Sequence, residues 1–183
     1  MDPIRDSRKI ESIKKLLSSE PRNNLLFILG INNGIRTGDL VRLKIGQVRN
    51  LKPGDHIRII ESKTGKSNII GINKSAHKSL NRYLESKPEL TDDDFLFQSR
   101  KGNNPVTVGS VSRLVKSWTR AVGLKGKYGA HTLRKTFGYM QRKKHGVGFD
   151  VLCQRFNHSS PAVTMRYLGI TKKEVSDILM NEI

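Results

Sequence analysis

Apolar residues recur at helical spacing near the start of the chain. Ile10, Ile13, Leu16 and Leu17 share one face, and Leu25, Leu26, Ile28 and Leu29 mark a second helix that Asn33-Gly34 stops. Thr37 reads as the cap of a short third helix over TGDLVRL. The period then shortens. HIRIIES (56–62) and SNIIGIN (67–73) are rich in β-branched residues, and the Lys63-Thr64-Gly65-Lys66 stretch between them reads as a hairpin turn. A strand over Ile45 to Val48 would complete a small sheet. Helical patterns resume at 74–86, 107–122, 131–144 and 149–157, followed by a short helix at 160–167 and a last one at 172–182. Clusters of Pro, Gly and Asp at 52–55, 88–94 and 102–105 read as loops rather than linkers, and no internal repeat appears. The expected fold class is α+β and mostly helical: a single compact domain with a small antiparallel three-stranded sheet on one edge.

Length and composition agree with that picture. At 183 residues the chain is long enough to bury one sizeable core. Cys153 is the only cysteine, so no intrachain disulfide can form and a reducing compartment is expected. The N-terminal MDPIRDSRKIESIKK lacks the apolar core of a signal peptide, and no run reaches the length of a membrane span. Charge changes the picture most. Thirty-four Lys and Arg against 16 Asp and Glu give a formal charge of +18, which points to a polyanionic partner. Aromatic residues are only 6% of the chain, which disfavours single-strand binding by base stacking and leaves double-stranded DNA or structured RNA.

Four short segments carry candidate chemistry. In GAHTLRKTFGYM (129–140), His131 and Arg134 stand three apart in the first turns of a helix, where backbone amides and the helix dipole favour an anion. Arg36 follows a tight Asn-Asn-Gly turn and precedes Asp39 by three. Its guanidinium can hold two phosphate oxygens, while the carboxylate fixes its orientation. Lys63 and Lys66 flank the hairpin tip, and NHSSPAVTMRYLG (157–169) sets His158 nine residues before Tyr167. Each piece alone is more simply a solvated charge, a surface ion pair or a core aromatic. Together they match what phosphodiester cleavage needs: cations for the non-bridging oxygens, a proton for the leaving oxygen, and an in-line nucleophile.

The segments NNGIRTGDLVRL, SKTGKSNIIGI, HTLRKTF and NHSSPAVTMRY occur in the order seen in the catalytic domain of the tyrosine recombinase (phage integrase) family, which the chain resembles over nearly its whole length. The resemblance implies a catalytic set of Arg36, Lys63, His131, Arg134, His158 and Tyr167, with Tyr167 as nucleophile and Asp39 as the acidic buttress beside the first arginine. It implies that Arg36 and Arg134 clamp the scissile phosphate, that His131 and His158 hydrogen-bond it or move protons, and that Lys63 is the general acid. Lys63 is favoured over Lys66 because the SKTG match falls on it; Lys66 is expected to contact DNA along with Arg36, Lys63 and Arg134. The reaction so implied is cleavage and rejoining of DNA through a covalent 3′-phosphotyrosine, in integration, excision or inversion, without cofactor, metal or ATP. Double-stranded DNA is the implied partner, with a homo-tetramer assembled on it through a C-terminal helix that carries Val175, Ile178, Leu179 and Ile183 on one face. The expected setting is the cytoplasm, on DNA, of a bacterial or phage-derived system. Residues 1–183 read as the catalytic domain alone, without the N-terminal DNA-clamping domain usual in the family, and Asn157 stands where the family usually has a glycine.

Rival readings fit less of the chain. A DNA-binding module without cleavage explains the charge but not the Arg, Lys, His and Tyr set. A type IB topoisomerase shares the chemistry, but a single small domain with this His-to-Tyr spacing looks more like a recombinase. Asp92, Asp93 and Asp94 are adjacent in a loop and do not read as a converging nuclease site. His131, His145, Cys153 and His158 lack the short paired spacing of a zinc site. Tyr83, Tyr128 and Tyr139 are weaker nucleophile candidates than Tyr167.

Overall fold

A computed structural model describes residues 1–99 and 102–169. Its elements are α1 (Ser7–Leu16), α2 (Pro21–Asn33), α3 (Thr37–Leu40), β1 (His56–Ile60), β2 (Ser67–Gly71), α4 (Lys74–Glu85), α5 (Val108–Ala121), α6 (Ala130–His145), α7 (Phe149–Arg155) and α8 (Pro161–Leu168). The C-terminal helix expected at 172–182 lies outside the described residues.

Helix α2 is the hub. Leu25 to Gly30 are buried without a break, so this helix has no solvent face along that stretch, and α4 and α6 pack against it. Pro21 opens α2 and Gly34 closes it at φ +59°, a left-handed conformation suited to glycine; a Cβ there would also press on the Phe137 ring. Side-chain caps hold the neighbours: Asp6 accepts from Arg8 N, Asn73 from Ala76 N, Thr107 from Ser110 N, and Ser160 from Val163 N. Among the described residues no helix is long and apolar enough to cross a membrane.

Among the described residues the sheet has two strands rather than the expected three. β1 and β2 pair antiparallel, from His56 opposite Gly71 to Ile60 opposite Ser67. Ile45–Gln47 forms a 3-10 turn instead of a strand. Ile45 and Val48 are both buried, and a 3-10 turn sets residues three apart on the same side, so the pair is satisfied without alternation. The backbone of this turn bonds to the 92–94 loop, with Ile45 N donating to Asp94 O and Gly46 N to Asp92 O. The third helix is also shorter than TGDLVRL. Thr37 lies inside it rather than capping it, and its hydroxyl donates to Ala130 O at 3.1 Å, tying α3 to the start of α6.

Among the described residues the apolar side chains form two clusters. The larger spans α1, α2, α4 and α5 and includes Phe27, Phe97 and Trp118. The smaller holds Phe137, Leu152, Phe156 and Leu168, with Val147, Phe149 and Tyr167 packed against it. Gly138 makes room for it: a Cβ at that position would stand 2.7 Å from the Phe156 ring and 2.8 Å from Leu168.

Candidate active site

The sequence-predicted residues sit at the ends of elements that converge beside the smaller cluster. Arg36 precedes the first turn of α3 in extended conformation, just after the left-handed Gly34. His131 and Arg134 begin α6. His158 follows α7, with its amide donating to Cys153 O, and Tyr167 lies one residue from the end of α8. Lys63 and Lys66 are exposed in the turn between β1 and β2. There Gly65 N donates to Glu61 O at 2.9 Å and Glu61 N to Lys66 O at 3.0 Å.

Arg134 is the most enclosed cation, only 3% exposed. Its Nη1 donates to Gly34 O at 2.5 Å and its Nη2 to Phe156 O at 2.7 Å, and the guanidinium stacks over the Phe156 ring at 4.5 Å. Burial lowers its pKa to about 10, so it stays charged at neutral pH. Phe156 is a platform that nothing in the local sequence marks. Its ring meets Phe137, His158 and Tyr167 with centroids 6.1, 5.2 and 5.6 Å away. In the sequence it is one more core aromatic.

His158 directs Nδ1 at Thr164 Oγ1, 2.9 Å away, which leaves Nε2 for the site. Its ring centroid is 5.2 Å from that of Tyr167. Burial lowers the His158 pKa, and the charges of Arg134 and Arg36 add to the effect. His131 is shifted the same way, first by burial and then by Arg134, with smaller contributions from the N-terminal ammonium, Lys135 and Lys63. Both imidazoles are therefore biased towards the neutral form. Asn157 adopts φ +52°, the left-handed conformation a glycine would take, and its amide donates to Ser67 O at 3.3 Å. Asparagine tolerates that region, so the turn before His158 forms despite the departure from the family pattern.

The Tyr167 hydroxyl is sealed from solvent and, among the described residues, has no partner of good hydrogen-bond geometry. Burial raises its pKa, while Arg134 and Arg36 are near enough to oppose the rise. The other tyrosines lie elsewhere: Tyr83 is in the main core, Tyr128 donates to Lys125 O, and Tyr139 lies under the Arg5 guanidinium.

The carboxylate on Arg36 is not the expected one. Arg36 Nη1 is ion-paired with Glu61, which is fully buried at the end of β1. Asp39 uses Oδ1 on the hairpin, accepting from Ser62 N at 2.9 Å and Ser62 Oγ at 2.7 Å. Asp39 thus anchors the residue before Lys63, and Glu61 buttresses the arginine. The only hint of Glu61 in the sequence is an acidic residue closing a strand whose other polar residues, His56 and Arg58, are basic. Arg155 is likewise unmarked in the sequence. It joins α7 to the hairpin and to α2 through Nη1 to Asn68 Oδ1 (2.6 Å), Nη2 to Ile69 O (2.8 Å) and Nε to Asn33 O (3.0 Å).

The arrangement brings Arg36, Arg134 and His158 around Tyr167, with His131 and Lys63 within electrostatic reach of one another. Comparison with known proteins agrees. The model of the phage integrase family matches residues 6–174. "Probable integrase/recombinase YoeC" of Bacillus subtilis is 37% identical over 173 residues, which cover 93% of this chain and 90% of that protein. The tyrosine recombinase XerA of Pyrococcus horikoshii is 25% identical over 171 residues, 92% of this chain but only 58% of that protein. Among solved structures, the fold is shared with XerA recombinase at a TM-score of 0.80 and 23% identity, over all of this chain and 67% of that one. It is shared too with XerH bound to a palindromic difH substrate, at a TM-score of 0.76 and 20% identity, over 95% of this chain and 51% of that one. The chain belongs to the phage integrase family, among the tyrosine recombinases.

Proposed function

We propose that this chain cleaves and rejoins double-stranded DNA at specific sites through a 3′-phosphotyrosine formed on Tyr167. The observation that carries this reading is the packing of Tyr167 against the His158 ring, within electrostatic reach of Arg134 and Arg36. The Tyr167 oxygen attacks phosphorus while the bond to the 5′-oxygen breaks. Arg36 and Arg134 bind the non-bridging oxygens and stabilise the charge that builds there. A neutral imidazole, His158 or His131, takes the tyrosine proton, and Lys63 delivers a proton to the departing 5′-oxygen. The phosphodiester energy is kept in the covalent link, so the reverse attack by a 5′-hydroxyl rejoins a strand without ATP. Lys66, exposed beside Lys63, contacts the DNA backbone. The overall charge of +18 supports a duplex partner. A homo-tetramer assembled on DNA through the C-terminal segment is part of the same reading; a lambda integrase tetramer bound to a Holliday junction shares the fold. A DNA-associated cytoplasmic location goes with it.

The test is covalent capture. The chain is incubated with nicked duplexes of randomised sequence, in which loss of the short leaving fragment that carries the freed 5′-hydroxyl prevents rejoining, and protein-linked DNA is recovered under denaturing conditions. Adduct that maps to Tyr167 and vanishes in Tyr167→Phe is the expected result. No adduct from the wild-type chain, or an adduct on another residue, would overturn the reading.

A further inference from the structure

Glu61 is 0% exposed, an unusual position for a carboxylate, and one that demands compensating partners. Burial pushes its pKa up, but hydrogen bonds from Thr64, Asn68, Arg36 and Asn157 outweigh this and hold it below the ordinary carboxylate range. The partners belong to different parts of the site. Oε2 accepts from Thr64 Oγ1 at 2.7 Å, one residue after Lys63, and the same oxygen is ion-paired with Arg36. Oε1 accepts from Asn68 Nδ2 at 2.8 Å, and Asn68 in turn receives Arg155 from α7. On the other side of Lys63, Asp39 holds Ser62. The exposed lysine is thus flanked by two residues fixed to buried carboxylates, and one of those carboxylates is also the counter-ion of Arg36.

We propose that Glu61 is a positioning residue that couples the Arg36 phosphate clamp to the Lys63 hairpin, so that the cation on the non-bridging oxygens and the acid for the leaving oxygen are set by one buried carboxylate. This rests on the recombinase reading above. Two effects follow from the chemistry. The negative charge of Glu61 offsets part of the positive charge that an incoming phosphate meets, so it works against binding. It also fixes where Arg36 and Lys63 stand, so it favours cleavage. A side chain that merely supported the fold would move both in the same direction.

The test uses a duplex selected by wild-type covalent capture, made both with the ordinary scissile oxygen and with sulfur at the 5′-bridging position. A thiolate departs without a proton, so sulfur removes the need for an acid. Glu61→Gln keeps the shape, removes the charge and presents a donor where Asn68 already donates. It is expected to bind the duplex at least as tightly as the wild type while single-turnover cleavage of the oxygen substrate falls by about a hundredfold, the scale of a lost electrostatic contact. On sulfur it should recover only in part, since the Arg36 half of the defect remains, whereas Lys63→Ala should recover nearly fully and Arg36→Ala not at all. Thr64→Val leaves Glu61 and Arg36 paired and should slow oxygen cleavage by roughly five- to tenfold, the value of one hydrogen bond, with full recovery on sulfur. Wild-type rates for Glu61→Gln, or binding lost in parallel with cleavage, would overturn the proposal. Should Glu61→Gln fail to fold, Thr64→Val decides: an unchanged rate on oxygen refutes the coupling. Wild-type protein that gives no covalent product would sink the recombinase reading itself, and this proposal with it.

Discussion

Arg134 Nη1 donates to the carbonyl oxygen of Gly34 at 2.5 Å, joining the start of α6 to the left-handed turn that ends α2. Its other terminal nitrogen holds Phe156 O, so this guanidinium, proposed above as a phosphate ligand, is also a tie between two backbone segments. Arg134→Ala deprives two carbonyls of their donor and is expected to destabilise the chain by about 2–4 kcal/mol, alongside loss of cleavage. Arg134→Lys keeps a charge but not the fork. It should lose less stability, yet cleave slower by about 10²–10³-fold. Thermal unfolding and single-turnover cleavage on one preparation separate the two; a lysine variant with wild-type cleavage would show that the fork is dispensable.

Tyr167→Phe is expected to leave stability unchanged within about 0.5 kcal/mol, because the hydroxyl it removes has no well-formed hydrogen bond among the described residues. The ring contacts with His158 and Phe156, and Lys135 over its face at 4.9 Å, remain. Covalent adduct should disappear while duplex binding stays. A loss of several degrees in Tm would mean that the hydroxyl is bonded in solution.

Gly138→Ala places a methyl group against Phe156 and Leu168 and is expected to destabilise by about 1–3 kcal/mol through overpacking. Phe156 cannot yield without disturbing Arg134, His158 and Tyr167, so cleavage should fall further than stability alone explains. Measuring both in Gly138→Ala and in an equally destabilised variant of the main core, such as Ile13→Val, checks this; matched cleavage in the pair would contradict it.

Acid should act in two stages. His131 and His158 have pKa values below the ordinary 6.5, so the folded chain binds protons less readily than the unfolded one, and stability falls as pH drops through that value. Glu61 has a lowered pKa, so its contribution is present above about 4.5 and is lost as pH falls through the folded value. Unfolding followed from about pH 8 to about pH 2 should show an upper decline that the His131→Asn, His158→Asn double variant flattens and a lower one that Glu61→Gln makes shallower. An upper decline unchanged in the double variant would place the proton uptake elsewhere.

The sequence carries most of the fold because helical period, caps and turn residues are local signals, and α2, α4, α5 and α6 all follow them. It fails at Ile45 to Val48, where two buried residues three apart suit a 3-10 turn as well as a strand, and only bonds to the 92–94 loop decide. In the site, Arg36, Lys63, His131, Arg134, His158 and Tyr167 stand out by residue type and order. Glu61, Phe156 and Arg155 do not, because their roles depend on partners far away in the chain: Arg155 Nε reaches Asn33 O, 122 residues distant, and Arg134 Nη2 reaches Phe156 O. Asp39 was visible, but its partner Ser62, 23 residues on, was not.

The split between two apolar clusters divides the chain's tolerance to change. Substitutions around Phe27 or Trp118 act on the large core, so their effect is read mainly as the fraction of molecules folded. Substitutions around Phe137, Leu152 or Leu168 act on the few side chains that seat Phe156, so their effect is read mainly as the geometry of the candidate site. Sequence drift in the first can be compensated anywhere that adds stability; drift in the second can be repaired only by a neighbour in the same small group.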